Sequence, residues 1–252
     1  MVVLKTDREI SQMKKAGLIA ANALHTAGKA IEPGISTLEL DTIIRKYIES
    51  KGAKPSCLGY GGFPNSACIS VNNEVIHGIP SKDKKIKNGD IVSVDVAAFY
   101  EGFHGDTAYT FTCGEVSKNA KSLLDATYES LLKGIKKATV GNRIGDISST
   151  IQEYVEARGY SVVRDFVGHG IGAQLHEDPS VPNYGVPSRG VRLLPGMTIA
   201  IEPMINEGSF EVEVLSDDWT CITKDGKLSA HFEHTVAVTS SGPAILTIPD
   251  LV

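Results

Sequence analysis

The chain has 252 residues, 42% of them hydrophobic, enough to bury a substantial core within a single domain spanning residues 1–252. Its 25 basic and 30 acidic residues leave a net charge of -5, which offers no electrostatic footprint for nucleic acid or an anionic membrane. The opening MVVLKTDREISQMKK holds no apolar run of signal-peptide kind, no later run approaches membrane-spanning length, and the four cysteines form no CxxC pair. A cytoplasmic protein with reduced thiols and no structural zinc site is expected.

Thr6 to Glu9 reads TDRE, a capping box, and the helix-favouring stretch behind it runs to about Ala30 before Pro33-Gly34 stops it. A second capping box, Ser36 to Glu39, opens a helix with Leu40, Ile43, Ile44, Tyr47 and Ile48 on one face and Gly52 at its end. Residues 90–99, DIVSVDVAAF, alternate as a strand, with Val92, Val94 and Val96 on one face and Ile91, Ser93 and Asp95 on the other. Asp95 is thus an acid inside an apolar strand. The turn EGFHGD then delivers Asp106 just before a second strand-like run, TAYTFT, so the two carboxylates are expected to face each other across a hairpin. In the second half, MTIAIEPMI places Glu202 in an apolar strand, and HFEHTVAVT places Glu233 in another, on a face shared with His231, Thr235 and Ala237.

The two halves resemble each other at an offset of 107 residues. Gly34 meets Gly141, Ile44 meets Ile151, Tyr47 meets Tyr154, Gly52 meets Gly159 and Gly89 meets Gly196; Asp95 then falls on Glu202. A duplicated unit, at about residues 31–112 and 138–239, would set a carboxylate from each half near a pseudo-two-fold axis. The period is too long for a solenoid.

Four acids that each interrupt an apolar pattern need a cation, protonation or basic partners, and these strand segments contain no lysine or arginine. His169, in the glycine-bracketed VGHGIG, offers a neutral imidazole nitrogen. Four carboxylates and one imidazole suit manganese, iron or cobalt better than a thiolate-rich site would, and bridging carboxylates favour two ions over one.

The ordered set Asp95, Asp106, His169, Glu202 and Glu233, in the settings SVDV, HGDTA, GHGIG, AIEPM and FEHT, resembles the methionine aminopeptidases over the whole chain. Only 31 positions separate Glu202 from Glu233, as in the short type I form, which lacks the helical insertion of type II and an N-terminal zinc-binding extension. The resemblance implies an α+β pita-bread fold, with two pseudo-symmetric halves around a central antiparallel sheet and helices outside. It implies that Asp106 and Glu233 bridge two divalent ions (cobalt, manganese or iron, with zinc possible), that Asp95 holds one ion, and that His169 with Glu202 completes the other. A metal-bound hydroxide would attack the scissile carbonyl, with Glu202 as general base.

By the same resemblance His77, in CISVNNEVIHGIP, and His176, in QLHEDP, contact substrate and stabilise the tetrahedral intermediate. Cys57, Tyr60, Phe63, Cys68, Leu175 and Trp219 would line a pocket for a thioether side chain. Leu175 stands where many relatives carry an aromatic residue, and His231 where the family usually has glutamine. The shared strand face makes His231 a candidate hydrogen-bond partner beside the metals. His25, His104 and His234 are expected to be structural.

The implied function is removal of initiator methionine from nascent polypeptide N-termini near the ribosome, by a monomer, with small second residues preferred. Two other readings use the same scaffold. Xaa-Pro aminopeptidases and prolidases share the ligands but normally carry an additional N-terminal domain, for which this chain has no residues to spare. Non-catalytic peptide- or ribosome-binding relatives commonly lose ligands, whereas all five are present here.

Overall fold

The structure, a computed structural model, describes residues 1–250. Four helices lie outside an assembly of antiparallel strands: α1 (Asp7–Lys29), α2 (Thr37–Ser50), α3 (Lys118–Lys137) and α4 (Ile144–Glu156). Both expected capping boxes form, with Thr6 and Ser36 each accepting from the third helical residue while Glu9 and Glu39 reach back to the cap.

The first half is built on a hairpin, Ile91–Tyr100 with Phe103–Thr112, turned by Glu101 and Gly102 at φ 48° and 92°. Cys68–Val71 pairs with the outer side of Ile91–Tyr100. The second half carries a five-stranded sheet in the order Gly242–Ile245, His234–Thr239, Thr198–Ile201, Gly168–Gly170, Glu177–Val181. Two smaller antiparallel sheets complete the layer.

Each half has its own core. Leu24 of α1 and Leu40, Ile44 and Ile48 of α2 pack on Ile69, Val92, Val94 and Val96; Leu123 and Leu131 of α3 and Ile147 and Ile151 of α4 pack on Ile199, Ile201 and Val236. At the offset of 107, the start of α2 falls on the start of α4, and the isolated bridge Ser36–Lys85 falls on Arg143–Arg192. The left-handed glycines 34, 52 and 89 fall on 141, 159 and 196 with φ values of 99°, 72° and 95° against 93°, 83° and 91°.

Threonines close the seam between the halves. Asp106 N–H donates to Thr235 Oγ1 (3.0 Å), whose hydroxyl donates to Asp106 O (2.8 Å). Thr107 Oγ1 donates to Glu233 O, and Thr110 Oγ1 to His231 O, both at 2.8 Å. Helix α1 rests directly on this hairpin: a Cβ on Gly105 would lie 2.3 Å from Gly17 N.

Candidate metal centre and substrate pocket

Asp95 lies mid-strand, opposite Cys68 on one side and Ala108 on the other, whereas Asp106 lies opposite Ala97. The two carboxylates are therefore diagonal neighbours on one sheet face and not a directly opposed pair, because the two-residue turn starts the second strand at Phe103 and carries it through Asp106. Glu202 and Glu233 also differ from the expectation, since neither lies inside a strand. Strand pairing runs to Ile201 with His234, stops, and resumes at Met204 with His231. Pro203, which has no N–H, interrupts one chain; on the other, Glu233 N–H turns to Ala108 O of the first half (2.9 Å). Both glutamates thus sit at a shared break, aimed at the hairpin acids.

Ligand atoms of Asp106, His169 and Glu233 all lie within 4.8 Å of one another. His169 Nε2 is 3.5 Å from Glu202 Oε1 and 3.9 Å from Asp106 Oδ2, and His231 Nε2 is 3.7 Å from Glu202 Oε2, all too long for hydrogen bonds. His169 Nδ1 donates to Gly170 O at 2.9 Å, which leaves Nε2 with a free lone pair toward the acids.

Electrostatics mark the cluster as incomplete. Asp106 Oδ1 and Glu233 Oε1 are buried and have no hydrogen-bond partner among the described residues. Burial, followed by the charge of neighbouring carboxylates, holds Asp95 and Glu233 well above the usual carboxylate range and pushes Asp106 to about 7; burial takes Glu202 to about 8. Burial also lowers His169 to about 3 and His231 to about 4, so both imidazoles are neutral at pH 7. Orphaned oxygens, neutral imidazoles and no lysine or arginine paired with these acids among the described residues fit a divalent cation.

The cluster opens on a small cavity lined by Cys57, Tyr60, Phe63, Cys68, Leu175 and Trp219 together with His77, His176, Asp95 and Asp106. His77 is held in the left-handed region (φ 58°) between the rings of Phe166 and Trp219, and burial lowers its pKa to about 4. His176 stacks edge-on against His169 (4.2 Å between centroids), and its Nδ1 is 2.6 Å from the Tyr60 hydroxyl. Larger clefts open elsewhere, one of about 580 Å³ along Met1, Ile144 and Val186, but among the described residues they hold no comparable cluster of acids and imidazoles.

The side chains of two other histidines are engaged elsewhere. His104 pairs with Ser56 and His234 with Thr247, both at 2.9 Å, and His25 lies on α1. Sequence reasoning placed Thr235 on the face of Glu233 but passed over Phe166, Thr107, Thr110 and Asn183, whose Nδ2 donates to Glu202 O at 2.9 Å. Of these only Phe166, three residues before His169, carries a positional signal.

The sequence profile of Metallopeptidase family M24 matches residues 11–240. The methionine aminopeptidase of Clostridium acetobutylicum is 52% identical over 248 residues, which cover 98% of this chain and 99% of that protein. The crystal structure of methionine aminopeptidase from Thermotoga maritima superposes with a TM-score of 0.97 at 49% identity, over 98% of this chain and 100% of that one. A prolidase from Pyrococcus horikoshii shares the fold at a TM-score of 0.80 and 24% identity, over 99% of this chain but 65% of its own.

Proposed function

This chain belongs to metallopeptidase family M24, among its methionine aminopeptidases with their pita-bread fold, and from that premise we propose how its residues serve the reaction. It is a hydrolase that uses divalent metal and removes N-terminal methionine from peptides. The observation that carries the reading is the orphaned pair Asp106 and Glu233, set against His169 beside a cavity of sulfur, aromatic and imidazole groups.

In the proposal Asp95, Asp106, His169, Glu202 and Glu233 together would hold two divalent ions. Cobalt, manganese and iron fit these donors, and zinc is possible. Bound divalent metal supplies Lewis acidity toward the scissile carbonyl and acidifies water. Glu202 takes the proton of the attacking water and returns it to the leaving amine. With a cation held beside it, Glu202 would ionise below the value of about 8 to which burial alone raises it. His77 and His176, which both line the cavity, hold the substrate and the developing oxyanion. The methionine side chain enters among Cys57, Tyr60, Phe63, Cys68, Leu175 and Trp219.

The two halves are read as one duplicated unit within a single catalytic domain, supported by the glycines and bridges that recur at 107 residues. Preference for a small second residue, action on nascent chains near the ribosome, a monomeric state and a cytoplasmic location complete the proposal; the four free thiols accord with that location.

The test is to remove metal by dialysis and assay methionine release from Met-Ala-Ser while titrating manganese, iron, cobalt and zinc, with an Xaa-Pro peptide in parallel. Activity restored by metal and confined to the methionyl peptide is expected. Activity indifferent to chelation, or preference for the Xaa-Pro peptide, overturns the reading.

A further inference from the structure

His176 is itself exposed, although Gly172 and Leu175 in the short loop before it are buried, and its contacts on the cavity side are a tyrosine that is 44% exposed and the edge of His169. Such a group needs an anchor elsewhere if it is to meet substrate in one geometry.

The next residue provides one. Glu177 opens the strand Glu177–Val181, pairs in register with Gly170 beside His169, and turns its carboxylate inward to Lys5. Lys5 Nζ donates to Glu177 Oε2 at 2.5 Å and to Val3 O at 3.1 Å. Its side chain is 4% exposed and that of Glu177 is 11% exposed. The second carboxylate oxygen, Oε1, accepts the backbone N–H of Gln174 at 3.1 Å, which ties down the start of the loop.

The surroundings are shaped around the pair. A Cβ on Gly172 would lie 2.4 Å from Lys5 Cε and 2.7 Å from Glu177 Oε1, so glycine there leaves room for both side chains. Gly172 O in turn accepts from His104 N at 2.8 Å, and Lys5 N–H donates to Gly196 O at 2.7 Å. Lys5 is thus fixed at its backbone to the turn that leads into Thr198–Ile201 and at its tip to the loop that carries His176, 171 positions along the chain. A buried lysine with one carboxylate and one carbonyl is costly to desolvate, and an apolar pair would hold the same volume at least as well. Its directional grip on Glu177 is what an apolar pair lacks.

We propose that Lys5 is a positioning residue for catalysis: through its buried ion pair with Glu177 it fixes the loop from which His176 reaches the substrate. This rests on the reading of His176 as a substrate-contacting group. Lys5 touches neither substrate nor metal ligand and acts only through Glu177 and the loop.

The experiment compares Lys5→Met, His176→Ala and the double variant, each with measured metal content and thermal midpoint, for kcat and KM on Met-Ala-Ser. Lys5→Met is expected to lower kcat by roughly 10- to 100-fold with metal content unchanged. In the His176→Ala background the same change is expected to cost nothing further, because the group it positions is gone. Lys5→Arg, which keeps a charged donor, is expected to recover much of kcat. Should Lys5→Met not fold, Glu177→Gln carries the same cycle. Wild-type kcat in a folded, metal-replete Lys5→Met or Glu177→Gln, or losses that multiply in the double variant, overturns the proposal. Full activity in His176→Ala alone overturns the reading of His176 instead.

Discussion

Asp41 and Asp106 are buried to nearly the same degree, 5% and 7% exposed, yet the regions around them differ in kind. Asp41, on α2, accepts from the backbone N–H of Ser66 (2.8 Å) and Ala67 (3.0 Å) and from Asn65 Nδ2 (3.2 Å). It closes a loop, and its carboxylate is answered by the protein. Asp106 sits among Asp95, Glu202 and Glu233 with one oxygen unanswered. Burial raises both pKa values, but at Asp41 every other contribution, from three hydrogen bonds and Arg45, pulls the other way, whereas at Asp106 the Glu202 carboxylate adds to the rise ahead of the opposing pull of His231, Asp95 and the Thr107 backbone. A buried acid is therefore no sign of a metal site by itself; an unanswered one among its like is.

The strongest way to break this contrast is to neutralise one acid in each region. Asp106→Asn or Glu233→Gln should abolish stoichiometric metal binding and lower methionine release by more than roughly 100-fold. The metal-free variant should melt no lower than the metal-free parent, because a repelling group has been removed; metal analysis and calorimetry check both. Removing His77 or His176 as alanine should cost roughly 100-fold or more in kcat with metal content intact, which separates the groups that hold substrate from those that hold the ion. Asp41→Ala should do the reverse: a stability loss of about 1–3 kcal/mol in denaturant titration, with metal content and kcat unchanged.

The pH dependence of the metal-free protein sharpens the comparison further. Asp106 at about 7 and Glu202 at about 8 keep protons in the folded state that an unfolded carboxylate has already released. Stability should therefore fall as pH rises toward 8. The lowered values of His169, His231 and His77 act oppositely, but only below the unfolded histidine pKa of about 6.5. Between about pH 6.5 and 8 the acids act alone, so the melting temperature should drop by a few degrees in the metal-free protein and stay level once metal is bound. The smallest effect is expected at His231, 3.7 Å from Glu202, where His231→Gln should change kcat by no more than about tenfold in steady-state assays.

Much of this was legible in the sequence because the signals were local. Capping boxes at Thr6 and Ser36 mark helix starts, and acids that interrupt an alternating apolar pattern mark the cluster without any knowledge of the fold. The break at Glu202-Pro203 was half visible, since proline cannot continue a central ladder, but its partner at Phe232-Glu233 was not. That break exists because Glu233 N–H bonds to Ala108 O, 125 positions earlier. The quiet role of Asp41 was hidden in the same way, because its partners lie on a loop 24 to 26 residues on. Lys5 and Glu177, 172 residues apart, leave no trace in pattern or spacing.

The threonine seam also bears on how the chain is made. Its bonds join residues 121 to 129 positions apart, so the site gains almost nothing from early, local folding and must wait for long loops to close. During synthesis the first hairpin, with Asp95 and Asp106, is complete long before Glu233 leaves the ribosome. Until then two acids stand without their counterparts and no ion has a full set of donors. Catalytic competence should accordingly arise in one late step, once residues beyond His234–Thr239 have emerged, and ribosome-arrested chains that stop short of it should be inert however much of their sheet has formed.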